Sequence, residues 1–161
     1  MNAGLLFYLA RRTSLCQKRI SQYIKYYDLS VSNVKICAKK DDLHPAMSQL
    51  IAALPLVFIV SDAPERQPAC ALPIFDTLRI PLYPHNEPKG ILQLKGTNKN
   101  GYLIESLNQA IVVLPDIPEE IMQMLPTACE RLNLKFTLNG SVPSEPEINY
   151  EELIENSINH K

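Results

Sequence analysis

Apolar and polar positions along the first 80 residues switch repeatedly between the strand period and the helix period. Leu5 to Leu9 form a short apolar run suited to a strand, and the polar stretch Arg11 to Ser14 turns the chain. From about Ser14, the apolar residues Ile20, Tyr23, Ile24 and Tyr27 fall on one helical face while Lys18, Arg19 and Lys25 stay in water. Val31 to Cys37 is rich in valine and isoleucine and predicts a second strand. In "KKDDLHPAMSQLIAAL", Asp41 or Asp42 is expected to cap a helix with Pro45 in its first turn; Leu43, Met47, Leu50, Ile51 and Leu54 would form its buried face. Leu56 to Val60 is apolar throughout, the signature of a central parallel strand covered on both faces. Ser61 and Asp62 follow at its C-terminal edge, where α/β sheets place ligands.

Farther on the pattern loosens. Residues 63–90 contain six prolines and predict loops around a short helix near Pro73 to Leu78. Ile91 to Leu94, Tyr102 to Glu105 and Ala110 to Leu114 read as strands, with a turn at Leu107 and Asn108. Pro118, Glu119 and Glu120 start a helix that turns Ile121, Met124, Leu125 and Cys129 inward, with Met122 also at its packing face; Pro126 is expected to bend or restart it. "LKFTL" reads as a last strand, and residues 139–149 as a polar linker. A small amphipathic helix carrying Tyr150, Leu153, Ile154 and Ile158 follows, either a solvated end or a docking element. The resulting fold class is α/β: a three-layer domain over residues 1–138 with a mostly parallel sheet and a hairpin in its C-terminal half. Residues 139–161 form a linker and tail.

Bulk composition narrows the function classes. With 161 residues, 46% of them hydrophobic, the chain has material for one packed core. Its net charge of −1 gives no general reason to expect nucleic acid as a partner. No window approaches the run of about 18 apolar residues that suggests a membrane helix. In "MNAGLLFYLARR" the charges follow the apolar stretch, so it reads as a first strand and not as a signal peptide, and no membrane association is expected. Cys16, Cys37, Cys70 and Cys129 lie far apart without nearby histidines, which argues against a zinc site or disulfide framework and for buried thiols in a cytoplasmic protein. His44 and His85 are expected at the surface.

The segment "GTNKNGYLIESLNQAIVVLPDIPEEIMQML", residues 96–125, resembles the molybdopterin-binding fold of molybdenum cofactor biosynthesis proteins, and in particular the N-terminal domain of competence-damage-inducible proteins. Gly96 and Thr97 match that family's glycine-threonine loop, Gly101 its second glycine and Glu105 its strand end. Leu114, Pro115, Pro118 and Glu120 match its helix entrance. Upstream, "KKDDLHPAMSQLIAALPLVFIVSD" follows the family's order of paired aspartates, helix and apolar strand, so the resemblance spans residues 3 to about 138.

The resemblance implies a ligand-binding set of Gly96, Thr97, Gly101, Ser61, Asp62 and Pro115, and a phosphorylated pterin (molybdopterin) or nucleotide as ligand. It further implies Asp62 and Glu120 as candidate catalytic groups, and Asp41 and Asp42 as candidates for a hydrated Mg²⁺. Homo-oligomers, dimers or trimers, are also implied. Plainer readings stand beside these. Gly96 and Gly101 could frame an anion site with Lys95, Lys99 and the amides of residues 97–100, or simply relieve strain in a turn. Asp41 and Asp42 could serve only as helix caps. Around Ser61, Asp62, Glu65 and Arg66 no histidine or cysteine is close in sequence to make a nucleophile and base pair.

Three departures from the family pattern bear on activity. After the central strand the family has a Thr-Gly-Gly-x-Gly loop; here stands "VSDAPERQPA", without the glycines that let backbone amides approach an anion. The early Gly-Thr-Glu-Leu segment is replaced by "ARRTSLCQ". Where the family has Leu-Pro-Gly, this chain has Asp116. As a helix cap Asp116 would contribute about 1 kcal/mol. Beside a phosphate, like charges about 4 Å apart would repel by roughly 4 kcal/mol at an effective dielectric of 20. The reading is a degenerate, non-catalytic domain that keeps the scaffold and binds a nucleotide, a pterin or a protein. The alternative is an active enzyme performing adenylyl transfer or metal-dependent nucleotide pyrophosphate hydrolysis.

Overall fold

A computed structural model describes residues 1–62, 71–85 and 87–140. Six strands form one sheet in the order β2-β1-β3-β6-β5-β4: β1 (Asn2–Tyr8), β2 (Ser30–Cys37), β3 (Leu56–Ser61), β4 (Leu92–Lys95), β5 (Asn100–Glu105) and β6 (Ala110–Pro115). The pairs β1–β2, β1–β3 and β3–β6 are parallel, while β5 is antiparallel to both β6 and β4. This is the expected parallel sheet with a hairpin added late in the chain. Among the described residues four α-helices flank it: α1 (Thr13–Ile24), α2 (Leu43–Ala53), α3 (Leu72–Thr77) and α4 (Pro118–Phe136).

The two faces are packed by different helices because strand residues alternate sides. Leu5, Phe7, Phe58, Val60, Val112 and Leu114 meet Cys16, Ile20 and Ile24 of α1 and Ile121, Leu125 and Cys129 of α4. Leu6, Val57, Ile59 and Val113 meet Leu43, Met47 and Leu50 of α2 and Ile74 and Phe75 of α3. Phe75 adds an edge-to-face contact with Tyr102, ring centroids 5.1 Å apart. In β3 and β6 every residue is buried, which is why both sequences lack a polar alternation. No helix among the described residues is long and apolar enough to cross a membrane.

Several local expectations need correction. "LKFTL" is not a strand: α4 runs on to Phe136, since Leu125, Ala128, Cys129 and Leu132 keep the helical spacing along the core. Nor does Pro126 restart α4, which continues through it as one element. Neither Asp41 nor Asp42 caps α2 with its side chain; both sit in a preceding 3-10 turn, Lys40–Asp42, and Asp42 has helical dihedrals in place of the extended ones typical of a capping residue. The amphipathic segment around Tyr150 to Ile158, together with Glu65, Arg66 and Cys70, lies outside the described residues.

The ends of the α1 region, α3 and α4 are closed by left-handed residues other than glycine, while α2 ends on extended Leu54. Asp28, Arg79 and Thr137 take left-handed φ values of 56°, 56° and 52°. After each, the next residue's N–H reaches back five positions: Leu29 to Ile24, Ile80 to Phe75 and Leu138 to Asn133. A fourth left-handed residue, Leu9 at φ 54°, follows β1 and donates its N–H to the Cys37 carbonyl.

Cys16, Cys37 and Cys129 are buried and free. Burial pushes the Cys129 thiol up to about 12, and burial with the Asp116 carboxylate does the same for Cys16. Burial also raises Cys37. These folded-state values exceed those of unfolded thiols, so the associated stability is complete below about pH 9 and drains away as pH climbs toward 12. Urea unfolding at pH 8 and pH 10.5 should reveal a loss of stability to which Cys129 contributes about 1–2 kcal/mol. Cys129→Ala should flatten that pH dependence, and an unchanged slope would contradict the burial argument.

Candidate functional site

The C-terminal ends of β2, β1, β3 and β6 lie along one edge of the sheet, and β4, antiparallel to β5, ends there too. The chain leaves β1 toward β2 through α1 and returns to the other side of β1 through α2 and β3. The topological switch point is therefore between β1 and β3. The candidate ligand, catalytic and metal residues fall on this edge or beside it, in three separate groups, whereas Glu105 lies at the opposite edge, paired with Ala110.

Around the switch point stand Ser61, the last residue of β3, with Asp62 after it, and Pro115, the last residue of β6, with Asp116 after it; Ser61 is paired to both Tyr8 and Pro115. Ser61, Asp116 and Glu120 are the buried polar or charged residues among those described. Asp116 extends the ladder by donating its N–H to the Ser61 carbonyl. Its side chain does not cap α4, as the sequence suggested. The carboxylate instead reaches across the end of β3 to the entrance of α1. It accepts the Arg11 amide at 2.7 Å, the Arg12 amide at 3.2 Å to each oxygen, and the Cys16 thiol at 3.5 Å. Arg12 is the residue that opens α1, and it has no side-chain cap of its own. Left-handed Leu9 turns the chain immediately before these two amides. Backbone donors that the switch-point crevice would offer to an anion are thus held by an anion of the protein itself.

The second group joins the β4–β5 turn to α4. Glu120 accepts the Asn98 amide at 2.8 Å through Oε1, while its Oε2 has no hydrogen-bond partner among the described residues. A Cβ at Gly96 would lie 1.8 Å from that Oε2. A Cβ at Gly101 would lie 2.6 Å from the Val113 carbonyl oxygen and 2.8 Å from the Met124 sulfur. Neither glycine has a positive φ, so neither relieves turn strain; both permit close approach of α4 and neighbouring strands. Thr97 Oγ1 hydrogen-bonds Gln123 Oε1 at 2.9 Å, a second tie from this turn to α4. The open side of the turn is a cleft of about 310 Å³ lined by Lys95, Asn98, Lys99 and Asn100. Glu105, the strand end in the resemblance, forms an exposed ion pair with Arg131 of α4 at 3.1 Å.

Asp41 and Asp42 form the third group, both exposed on the turn before α2. Asp41 lines a different cleft, about 410 Å³, with Lys40, His44, Asp76 and Arg79. Among the described residues no three His, Cys, Asp or Glu side chains are gathered as a metal would need. A Mg²⁺ at Asp41 and Asp42 would therefore depend on water and on the phosphates of a ligand. The acceptors closest to the crevice amides, the Asp116 oxygens, are already committed.

The fold has solved counterparts. One is the crystal structure of the CinA protein, of unknown function, from Thermoplasma acidophilum. It superposes with a TM-score of 0.64 at 12% identity, covering 81% of this chain and 97% of that one. A structure of MogA covers 85% of this chain and 98% of its own, with a TM-score of 0.50 and 14% identity. The chain has the MoaB/Mog-like fold. No family model matches the sequence, and no curated protein matches it either. At these identities the MoaB/Mog likeness is one of backbone architecture, and residue roles must be argued from the side chains themselves.

Sequence reasoning missed the contact between Asp116 and the Arg11–Arg12 amides. The signal was present as two departures from the family pattern, at residues 10–17 and at residue 116, which looked independent because about 100 residues separate them. In the fold they are one contact.

Charge-assisted hydrogen bonds contribute about 1.5–3 kcal/mol each. Asp116→Asn should therefore lower the unfolding free energy by about 2–3 kcal/mol in urea titrations. Asp41→Asn, at an exposed site, should change it by less than about 0.5 kcal/mol. Equal effects from the two would remove the special role of Asp116. For the glycines, Gly101→Ala meets a backbone carbonyl and should cost about 3 kcal/mol. Gly96→Ala meets the end of a side chain that can swing away, and calorimetric unfolding should rank it as the milder change.

Proposed function

We propose that this protein is a degenerate, non-catalytic relative of the molybdopterin-binding domains, working in the cytoplasm through protein contacts and not by turning over a phosphorylated pterin or nucleotide. The supporting observation is the Asp116 carboxylate seated on the Arg11 and Arg12 amides at the switch point. An incoming phosphate would have to displace a carboxylate that is covalently part of the site and already desolvated. At about 4 Å the two charges would repel by roughly 4 kcal/mol at an effective dielectric of 20. Two other features favour the same reading. The loop sequence after β3 lacks glycine, and the candidate acids Asp41, Asp62 and Glu120 serve separate local environments instead of converging on one reacting centre.

Thermal unfolding in the presence of a reduced pterin, ADP-ribose, or ATP with Mg²⁺ tests this directly. A ligand at 100 times its dissociation constant would add about 2.7 kcal/mol. The expected outcome is an unchanged midpoint at millimolar concentrations of each compound, with no adenylyl transfer or pyrophosphate hydrolysis. A concentration-dependent rise with any of them, or turnover, would establish a working small-molecule site and overturn the reading.

A further inference from the structure

Five of the chain's 16 Lys and Arg residues, and none of its 17 Asp and Glu, precede Asp28. All five lie between Arg11 and Lys25, on α1, at its entrance, or in the 3-10 turn Lys25–Tyr27 that continues it. At 3.6 residues per turn, Arg12, Leu15, Lys18, Arg19, Lys25 and Tyr26 share an arc of about 140°. That arc is opposite the side on which Cys16, Ile20 and Ile24 enter the core. All six are exposed, Leu15 to 58% and Tyr26 to 46%. They make one face of a single helix, with two apolar side chains along its middle and cations on both flanks. The Tyr26 ring is held edge-on against Tyr23, centroids 6.1 Å apart.

This charge pattern does not serve the helix itself. A solvated helix face is stabilised when opposite charges interleave at i, i+4 spacing, and α1 has no acid to interleave. Its first turn lacks the carboxylates that a helix N-terminus favours, and Arg12 stands at its entrance. None of the five cationic side chains forms an ion pair among the described residues.

Charge and width together select the partner. A second copy docking through the same face would set cations against cations. The face is about 22 Å long and as narrow as one helix, about 10 Å. Exposed Glu119 and Glu130 of α4 border it, within electrostatic reach of Cys16 and of Tyr23 and Tyr27. A broad anionic surface such as a bilayer would press on these carboxylates as well as on the cations. A single acidic helix laid along α1 meets the cations alone.

We propose that the exposed face of α1 docks a short acidic, amphipathic helix of a protein partner. Leu15 and Tyr26 would seat its apolar residues, while Arg12, Lys18, Arg19 and Lys25 pair with its carboxylates. This rests on the reading that the domain works through protein contacts, and gives that partner its chemistry. A contact this narrow buries less than about 1,200 Å² and is weak and salt-dependent.

Fluorescence anisotropy of a fluorescein-labelled peptide made of Glu-Ala-Leu-Glu-Glu-Ala-Leu repeats, titrated with the full-length protein, provides the test. The expected dissociation constant is about 10–100 µM in dilute buffer, rising about tenfold or more in about 0.5 M NaCl. Lys18→Glu combined with Arg19→Glu should weaken binding about tenfold, and Lys25→Glu on the same face should weaken it in the same direction. Lys89→Glu combined with Lys95→Glu, the same charge change just before and at the end of β4, should leave it intact. Amide resonances of Leu15 and Tyr26 should shift during the titration. No binding, equal binding of the peptide with glutamine in place of glutamate, or an equal loss from the β4 pair would overturn the proposal. So would tighter binding to phosphatidylserine vesicles or duplex DNA that the α1 substitutions abolish, because the face would then belong to lipid or nucleic acid. The unfolding midpoint with ATP and Mg²⁺ is read on the same protein, so a failed docking and a working small-molecule site register as different results.

Discussion

A single carboxylate governs the functional edge of this fold. Asp116 follows β6, and its oxygens bridge across the end of β3 to the amides that open α1 after β1. Those amides precede a helix that has no side-chain cap, so without an acceptor they would be partly buried and unpaired. The demand for an acceptor is what the doubly wound topology creates; an anionic ligand is one way to meet it, and an internal acid is another. Here the second solution is in place. It fastens α1, β3 and β6 into one unit and at the same time fills the position from which such a sheet grips charged molecules.

A second buried carboxylate has a different task. Glu120 is placed by the first turn of α4, where an acid is favoured by the helix dipole, and it holds the β4–β5 turn through Asn98. Its closeness to Gly96 explains a glycine that has no conformational need for one. The most specific part of the sequence motif, residues 96–120, therefore records how a hairpin is clamped to a helix. Such a signature serves folding and does not by itself report a ligand.

The elements that could be read from sequence were those with one dominant signal. Leu56 to Val60 and Ala110 to Leu114 are continuous apolar runs, and burial on both faces leaves little room for another reading. The α1 face and the Leu107–Asn108 turn were equally plain. What failed were assignments where two local rules competed. "LKFTL" has strand propensity, but the helical spacing from Leu125 to Leu132 along the sheet prevailed. Asp42 has the chemistry of a cap without the backbone angles to act as one. At the site, residue types were visible and their pairings were not. A contact between residues 11 and 116 is a tertiary fact that no local pattern encodes, and the division of the candidates into three groups follows from strand order.

The left-handed residues that close the helices have a broader implication. Aspartate, arginine and threonine occupy three equivalent positions, each at roughly 1 kcal/mol above what glycine would require, and leucine occupies a fourth beside the crevice. The turns are therefore enforced from outside, by the packed elements they join, and not encoded by their own residues. A sequence organised in this way tolerates many residue types at its corners, because the packed interior, and not the corner itself, sets the bend.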